Sequence, residues 1–266
     1  PQHWSSAASD VYKRQLPRPI QRSCTVSCVP SRPLMVPNAR HIPCIRGGGA
    51  SHLIILHGLL GSSDNWQTLG KRYAKSHHVW MLDARNHGRS PHASTHTYES
   101  MAGDVIDFMD DRGISKGSLL GHSMGGKTVL FLSQLHPERF EKLIVADIAA
   151  REYTPNHDPI FDALLATTPA SSSSREAIQA QISEALNRDP VLVPFLMKGL
   201  YRKKEGGFAW RFNVPVLRRT MKSMVNHIEL GVNTLPTLFI RGSESNYVND
   251  DDLDLLGEHF LHMDHH

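Results

Sequence analysis

Cysteine is scarce in this chain. Cys24, Cys28 and Cys44 are the three cysteines among 266 residues, and the 222 positions after Cys44 contain none. The body of the chain therefore has no disulfide framework, which suits a reducing compartment. No second pair of cysteine or histidine residues lies near them at the spacing of a tetrahedral metal set, so the sequence predicts no metal site.

Long apolar runs are missing as well. No stretch approaches the roughly 18 to 20 apolar residues that a membrane-spanning helix needs, so we predict no membrane span. The net charge of +3 is also uneven, because residues 1–50 hold 7 of the 29 basic and 1 of the 26 acidic residues. The rest of the chain is slightly acidic and has no gathered basic groove, and nucleic acid is not expected as a partner.

Acidic residues are nearly absent from the first 50 positions, which are rich in Arg, Ser and Pro. That composition is typical of an organellar transit segment. Untranslated or adaptor-derived sequence, especially across Ser5 to Gln15, explains it equally well. Under either interpretation we predict that residues 1–50 form a disordered leader outside the fold, and that the protein is mitochondrial or cytoplasmic.

From residue 51 onward, short apolar runs alternate with amphipathic stretches. This alternation predicts an α/β domain over 51–266 with a doubly wound, mostly parallel sheet. A long, mostly helical insertion at about 150–233 predicts a cap over the carboxyl ends of the strands, where function collects in such sheets. The predicted strands are His52 to Leu56, Val79 to Leu82, Ser118 to Leu120, Leu143 to Ala146 and Thr237 to Ile240.

A G-x-S-x-G motif, Gly121 to Gly125, lies between a predicted strand and a predicted helix. In that context the central serine occupies a tight strand-to-helix turn known as a nucleophile elbow. The strained backbone costs on the order of 1–3 kcal/mol and raises the hydroxyl above the sheet. The motif predicts that Ser123 is a nucleophile. The alternative is a glycine-rich turn with an ordinary capping serine.

A serine nucleophile of this kind needs an oxyanion hole, which is a pair of N–H donors for the negative charge that develops during attack. One donor is the residue after the nucleophile, here Met124, and the second comes from the loop after an earlier strand. His57-Gly58-Leu59 follows the first predicted strand. The backbone N–H groups of Leu59 and Met124 are therefore the predicted donors.

Five segments of the chain are familiar from a known family. They are HGLLGSSDNW (57–66), LDARNHGRSP (82–91), GHSMGGKTV (121–129), VADIA (145–149) and WRFNVPVL (210–217). Together they resemble the YbfF-like esterase branch of the α/β-hydrolases, which includes mitochondrial members, and the resemblance extends from about residue 52 to 260. It implies the α/β-hydrolase fold with a helical cap, and hydrolysis of esters or thioesters of small to medium acyl groups. The expected partner is a small-molecule acyl ester, and no metal or organic cofactor is implied.

The acid of the catalytic triad is less clear. The wider superfamily places an aspartate after the strand that matches Thr237 to Ile240, where this chain has Gly242-Ser243-Glu244-Ser245. The resemblance to the YbfF-like branch implies an acid after the preceding strand, at Asp147. Glu244 is the alternative acid, and Asp147 would then be a capping residue. Asp83 and Arg85 are interpreted as a structural pair that fixes their loop.

The resemblance also implies a catalytic histidine after a final strand and before a closing helix. The tail from Glu258 to His266 holds four histidines without that pattern. We therefore expect the last strand and helix, and the histidine with them, to be missing. Loss of the base costs about a million-fold in kcat in a related serine mechanism, so we expect this chain to be nearly inactive. A non-catalytic ligand-binding homologue and a non-functional fragment are the competing interpretations.

Overall fold

The computed structural model describes residues 44, 45, 47, 49, 51–172 and 174–266. The predicted leader lies outside these residues apart from its last few positions. Among those, Cys44–Ile45 form a short strand, so the sheet includes residues that precede the predicted boundary at residue 51. Antiparallel pairing with the strand at His78–Leu82 explains the difference, since two residues of ladder hold this segment to the sheet edge.

The described residues form nine strands and eight α-helices. The strands are β1 (Cys44–Ile45), β2 (His52–Leu56), β3 (His78–Leu82), β4 (Gly117–His122), β5 (Phe140–Ala146), β6 (Leu200–Arg202), β7 (Phe208–Trp210), β8 (Thr237–Ile240) and β9 (Met263–His265). The helices are α1 (Gln67–Tyr73), α2 (Tyr98–Asp111), α3 (Met124–Leu135), α4 (Asp158–Ala166), α5 (Arg175–Ala185), α6 (Leu192–Met197), α7 (Val214–Met224) and α8 (Asp250–His259).

A seven-stranded sheet in the order β1-β3-β2-β4-β5-β8-β9 forms the centre of the fold. All pairings except that of β1 are parallel. Consecutive residues such as Ile54 and Ile55 are both fully buried. Because side chains alternate between the faces of a strand, this burial requires packing on both sides of the sheet, as the continuous apolar runs predict.

The strand register brings the candidate site together. His122 at the end of β4 lies opposite Ala146 of β5, and Ala146 lies opposite Ile240 of β8. The residues that follow these three positions therefore emerge side by side at one edge of the sheet. Neighbouring strands lie about 4.8 Å apart, so Ser123 and Asp147 begin as near neighbours.

The segment between β5 and β8 holds α4 to α7 and the two-stranded β6–β7 hairpin. Its two ends are joined, since Tyr153 N–H donates to Val225 O at 2.9 Å and Ile228 N–H donates to Ala150 O at 2.8 Å. The ammonium group of Lys127, on α3, also donates to carbonyl oxygens at both ends. The insertion is thus fixed to the helix that follows Ser123.

The end of the chain differs from expectation. We expected the last strand to be missing, but Met263–His265 form β9 and pair in parallel with β8. Phe260 packs edge-on against Phe239 of β8, with ring centroids 5.4 Å apart, which draws the preceding residues onto the core. Within the described part of the chain, no helix has the length and apolarity to cross a membrane.

Candidate active site

Ser123 occupies a strained turn between β4 and α3. Its φ of 52° and ψ of −116° lie outside the regions that L-residues favour. A Cβ added to Gly121 would lie 2.2 Å from Gly125 O, and one added to Gly125 would lie 2.4 Å from Leu56 O. The crowded backbone therefore requires glycine at both positions, as the motif predicts.

The Ser123 side chain is not used in the structure of the turn. Its hydroxyl makes no hydrogen bond to any described residue, whereas its backbone N–H donates to Ala146 O at 2.9 Å. An ordinary capping serine would accept an N–H from the first turn of α3, and this cap has no such side-chain bond. The hydroxyl therefore does not act as an ordinary cap of α3.

The loop after β2 lies directly beside this serine. A Cβ added to Gly58 would lie 3.3 Å from Ser123 Cβ. The N–H of the next residue, Leu59, has no acceptor among the described residues. Met124 is the first residue of α3, so its N–H has no partner in a preceding helical turn. Two backbone donors are therefore available near the hydroxyl.

Asp147 follows β5 at a second strained position, with φ of 56°. Its N–H donates to Ile240 O at 2.7 Å. Its Oδ1 is shielded from solvent and has no donor among the described residues. A capping aspartate would accept N–H groups through its carboxylate, so the capping interpretation gains no support here. The alternative acid, Glu244, lines the same cavity with an exposed side chain.

Two adjoining cavities meet at Ser123 and have different chemistry. We call the larger one the polar lobe; it has a volume of about 800 Å³ and includes Lys127, Arg151 and Glu244 in its wall. The second, the apolar lobe, has a volume of about 550 Å³. On one side its apolar wall is formed by α1 and the residue before it, and on the other side by the cap. The wall residues are Trp66 and Leu69 from the first side, and Ile160, Leu192 and Phe195 from the cap. Both lobes share Leu59, Ser123, Asp147, His157 and Tyr247.

Asp83 and Arg85 do not pair with each other as expected. Asp83 accepts the N–H groups of Ser63 at 2.6 Å and Arg89 at 2.9 Å. Arg85 forms a two-bond ion pair with Asp104, with both distances 2.7 Å. Each side chain still fixes the loop after β3, but from opposite sides, because α2 supplies the carboxylate that Arg85 needs.

Sequence reasoning missed a cluster of three buried histidines behind the Leu59 loop: His57, His87 and His96. Burial, together with the neighbouring imidazoles, holds the pKa of His87 well below its ordinary value. Burial also lowers the pKa of His57, and it lowers that of His96 to about 4. All three are therefore neutral at pH 7.

The tail histidines do not approach the serine. His259 ends α8 and His265 lies in β9, and neither these nor His262 or His266 line either lobe. Among the described residues, no imidazole hydrogen-bonds to the Ser123 hydroxyl or to Asp147 Oδ1. Nor do the described side chains form a group of three or more residues able to hold a metal ion.

Comparisons with known proteins agree on one family. A family model described as the alpha/beta hydrolase fold matches residues 51–173. Esterase YbfF from Escherichia coli (strain K12) is 37% identical over 201 residues, covering 75% of this chain and 77% of that protein. The sn-1-specific diacylglycerol lipase ABHD11 from Danio rerio is 31% identical, covering 77% of this chain and 67% of the lipase. The solved structure of a marine microorganism esterase gives a TM-score of 0.80 at 35% identity, over 84% and 88% of the two chains.

Proposed function

Because this chain belongs to the YbfF-like esterase branch of the α/β-hydrolases, whose members hydrolyse ester bonds, we propose that it is built for serine-dependent acyl hydrolysis through an acyl-enzyme at Ser123. The observation that supports this most is the unbonded Ser123 hydroxyl on a strained turn beside the unpaired N–H groups of Leu59 and Met124. A protein that only binds ligands has no need of that strain.

In the proposed reaction, Ser123 Oγ attacks the carbonyl carbon of an ester or thioester and loses its proton to a base. The carbonyl oxygen becomes an oxyanion that accepts hydrogen bonds from the N–H groups of Leu59 and Met124. These bonds stabilise the negative charge more strongly in a cleft that excludes water than they would in bulk water. The alcohol or thiol leaves with a proton and the acyl group stays on Ser123. Water then attacks the acyl-enzyme by the same steps, releasing the acid.

Asp147 is the proposed acid of the triad. It emerges next to Ser123 at the end of the neighbouring strand, and its Oδ1 has no structural donor. A carboxylate at that place orients an imidazole and stabilises its charged form. Glu244 is less suited because its exposed side chain is hydrated, and water weakens its interaction with a cation.

The two lobes suggest where the acyl part and the alcohol or thiol part of a substrate lie on either side of Ser123. An acyl chain gains about 0.8 kcal/mol for each methylene that it buries, and the apolar lobe offers the surface for that. The alcohol or thiol side then faces the polar lobe. The proposed substrates are therefore small to medium acyl esters or thioesters.

The test is covalent labelling by a fluorophosphonate in the presence of added imidazole, which stands in for the base that this chain is expected to lack, with the modified residue located by peptide mass spectrometry. We expect labelling at Ser123 that is lost in Ser123→Ala. Ser243→Ala is the matched control, because Ser243 lines the polar lobe without the strained turn, and labelling should persist there. Labelling that survives Ser123→Ala would refute the proposal, and complete absence of labelling would favour the ligand-binding alternative.

Turnover is a separate question. The sequence leads us to expect little hydrolysis by this chain, since base removal leaves roughly 1,000 to 10,000-fold acceleration over water from the oxyanion hole and binding. Hydrolysis of p-nitrophenyl acetate, followed with Ser123→Ala as the background, measures this directly. A rate typical of an esterase would show that a base is at hand.

A further inference from the structure

Two buried imidazoles lie behind the loop that carries Leu59. The ring centroids of His57 and His87 are 5.1 Å apart, and the two side chains are 2% and 0% exposed. Neither imidazole bonds to the Ser123 hydroxyl. Each ring instead bonds to one backbone group beside Leu59 and to one in the loop after β3.

The partners of each ring fix its tautomer. His57 Nε2 accepts the N–H of Ala84 at 3.0 Å, so its Nδ1 carries the hydrogen and donates to Gly58 O at 2.8 Å. His87 Nε2 accepts the N–H of Leu60 at 3.1 Å, and its Nδ1 donates to Arg85 O at 3.0 Å. A neutral imidazole offers one donor and one acceptor, and both rings use each.

These bonds control the direction of the Leu59 N–H. The carbonyl of Gly58 and the N–H of Leu59 belong to one planar trans peptide group and point to opposite sides. Gly58 O is held by His57 and also by the Gly61 N–H at 3.0 Å. Holding that oxygen on the inner side aims the Leu59 N–H outward.

His87 holds the following peptide group. Leu60 has a φ of 58°, in the left-handed region that costs an ordinary residue about 1–2 kcal/mol. Its N–H is the group that His87 accepts. If His87 no longer accepted this N–H, Leu60 could leave the left-handed region, and the neighbouring peptide group with the Leu59 N–H would rotate.

Building on the proposed function, we propose that His57 and His87 are positioning residues of the oxyanion hole, each fixing one of the two peptide groups that flank Leu59. His96 extends the cluster to the second donor, since its ring lies 5.4 Å from that of His87 and its Nε2 lies 3.4 Å from Met124 Sδ. The cluster thus supports the hole from behind without touching the substrate.

The test compares His87→Leu with His87→Gln in the full chain. Leucine fills the site but accepts no hydrogen bond, whereas the glutamine oxygen reaches about as far as Nε2. His92→Leu is the control, because His92 is exposed and its ring bonds to Arg211 O in the cap. The measurement is the second-order rate constant for fluorophosphonate labelling of Ser123 at one fixed concentration of added imidazole, expressed per folded protein.

We expect His87→Leu to label at least about tenfold more slowly, within the roughly 100 to 1,000-fold cost of losing a whole oxyanion donor. His87→Gln should recover to within about threefold of the parent, and His92→Leu should match it. An unchanged rate in His87→Leu overturns the inference. So does a folded His87→Gln that remains as slow as His87→Leu.

If His87→Leu does not fold, nitrogen NMR of the parent chain decides. At pH 7 the inference requires an unprotonated Nε2 on His87 that is hydrogen-bonded to the Leu60 amide, and a protonated Nε2 overturns it. This spectrum does not depend on the reactivity of Ser123. Failure of the proposed function is seen separately, as labelling of the parent chain that is absent or that persists in Ser123→Ala.

Discussion

Lys127 offers a sharp test of how the cap is attached to the core. Its side chain is 1% exposed, and its Nζ donates to Arg151 O at 2.8 Å, to Val225 O at 3.3 Å and to Asn226 O at 2.5 Å. Burial, then the charge of Arg151, lowers the pKa of Lys127 to about 8, so the ammonium form still predominates at pH 7. Lys127→Met keeps most of the stem and removes all three bonds.

The expected loss follows from those bonds. A hydrogen bond from a charged group contributes about 1.5–3 kcal/mol, but the methionine also escapes the cost of burying a charge. We therefore expect Lys127→Met to lower the free energy of unfolding by about 2–4 kcal/mol. With a urea m-value of about 3 kcal/mol/M, the unfolding midpoint falls by about 1 M.

Urea unfolding followed by tryptophan fluorescence at pH 7 measures this shift. Lys142→Met is the control, because Lys142 lies exposed on β5, and its unfolding free energy should stay within about 0.5 kcal/mol of the parent. A Lys127→Met midpoint equal to that of the parent would contradict the idea that this lysine clamps the two ends of the insertion.

Three further predictions concern the elbow, the acid and the buried histidines. Gly125→Ala should lower the free energy of unfolding by at least about 3 kcal/mol, because its Cβ would meet the backbone of β2. Gly103→Ala should raise it by about 0.5–1 kcal/mol, because a Cβ there projects from α2 into open space. Equal unfolding midpoints for the two variants would contradict this. Above the Ser123→Ala background at the same imidazole concentration, added imidazole should speed p-nitrophenyl acetate hydrolysis in the parent and in Glu244→Gln but not in Asp147→Asn, and the reverse pattern would make Glu244 the acid. Through the three buried histidines, the folded state binds fewer protons than the unfolded state between pH 6.5 and pH 4, so their contribution to stability should fall as the pH is lowered across that range. One pKa unit corresponds to about 1.4 kcal/mol, so the lowering of the His96 pKa from 6.5 to about 4 accounts for about 3 kcal/mol of that pH-dependent stability. In urea unfolding, His96→Phe should therefore reduce the change in unfolding free energy with pH by about 3 kcal/mol.

The parts of the fold that the sequence predicts best are those with a local signal. The strands His52–Leu56 and Thr237–Ile240 have the predicted bounds because each is a continuous apolar run. The resemblance to YbfF-like esterases is confirmed by the comparisons. The β6–β7 hairpin was missed because its strands have three residues each and surround a basic turn.

The supporting residues of the site were harder to predict. Ser123, Leu59 and Met124 follow from one motif and its neighbouring loop, and they line one cleft. His57, His87 and His96 are far apart in sequence, and their roles depend on which backbone groups the loops bring beside them. Lys127 gave no signal because a lysine on a helix is ordinarily solvated. Such contacts exist only once strands, loops and cap are packed together.

The central claim is that a reactive hydroxyl at Ser123 faces two backbone donors. A crystal structure of the protein treated with a fluorophosphonate in the presence of imidazole tests it most directly. We expect phosphorus bonded to Ser123 Oγ, with the phosphoryl oxygen about 2.7–3.1 Å from the backbone nitrogens of Leu59 and Met124. An adduct on another residue, or a phosphoryl oxygen turned away from both nitrogens, would contradict the account.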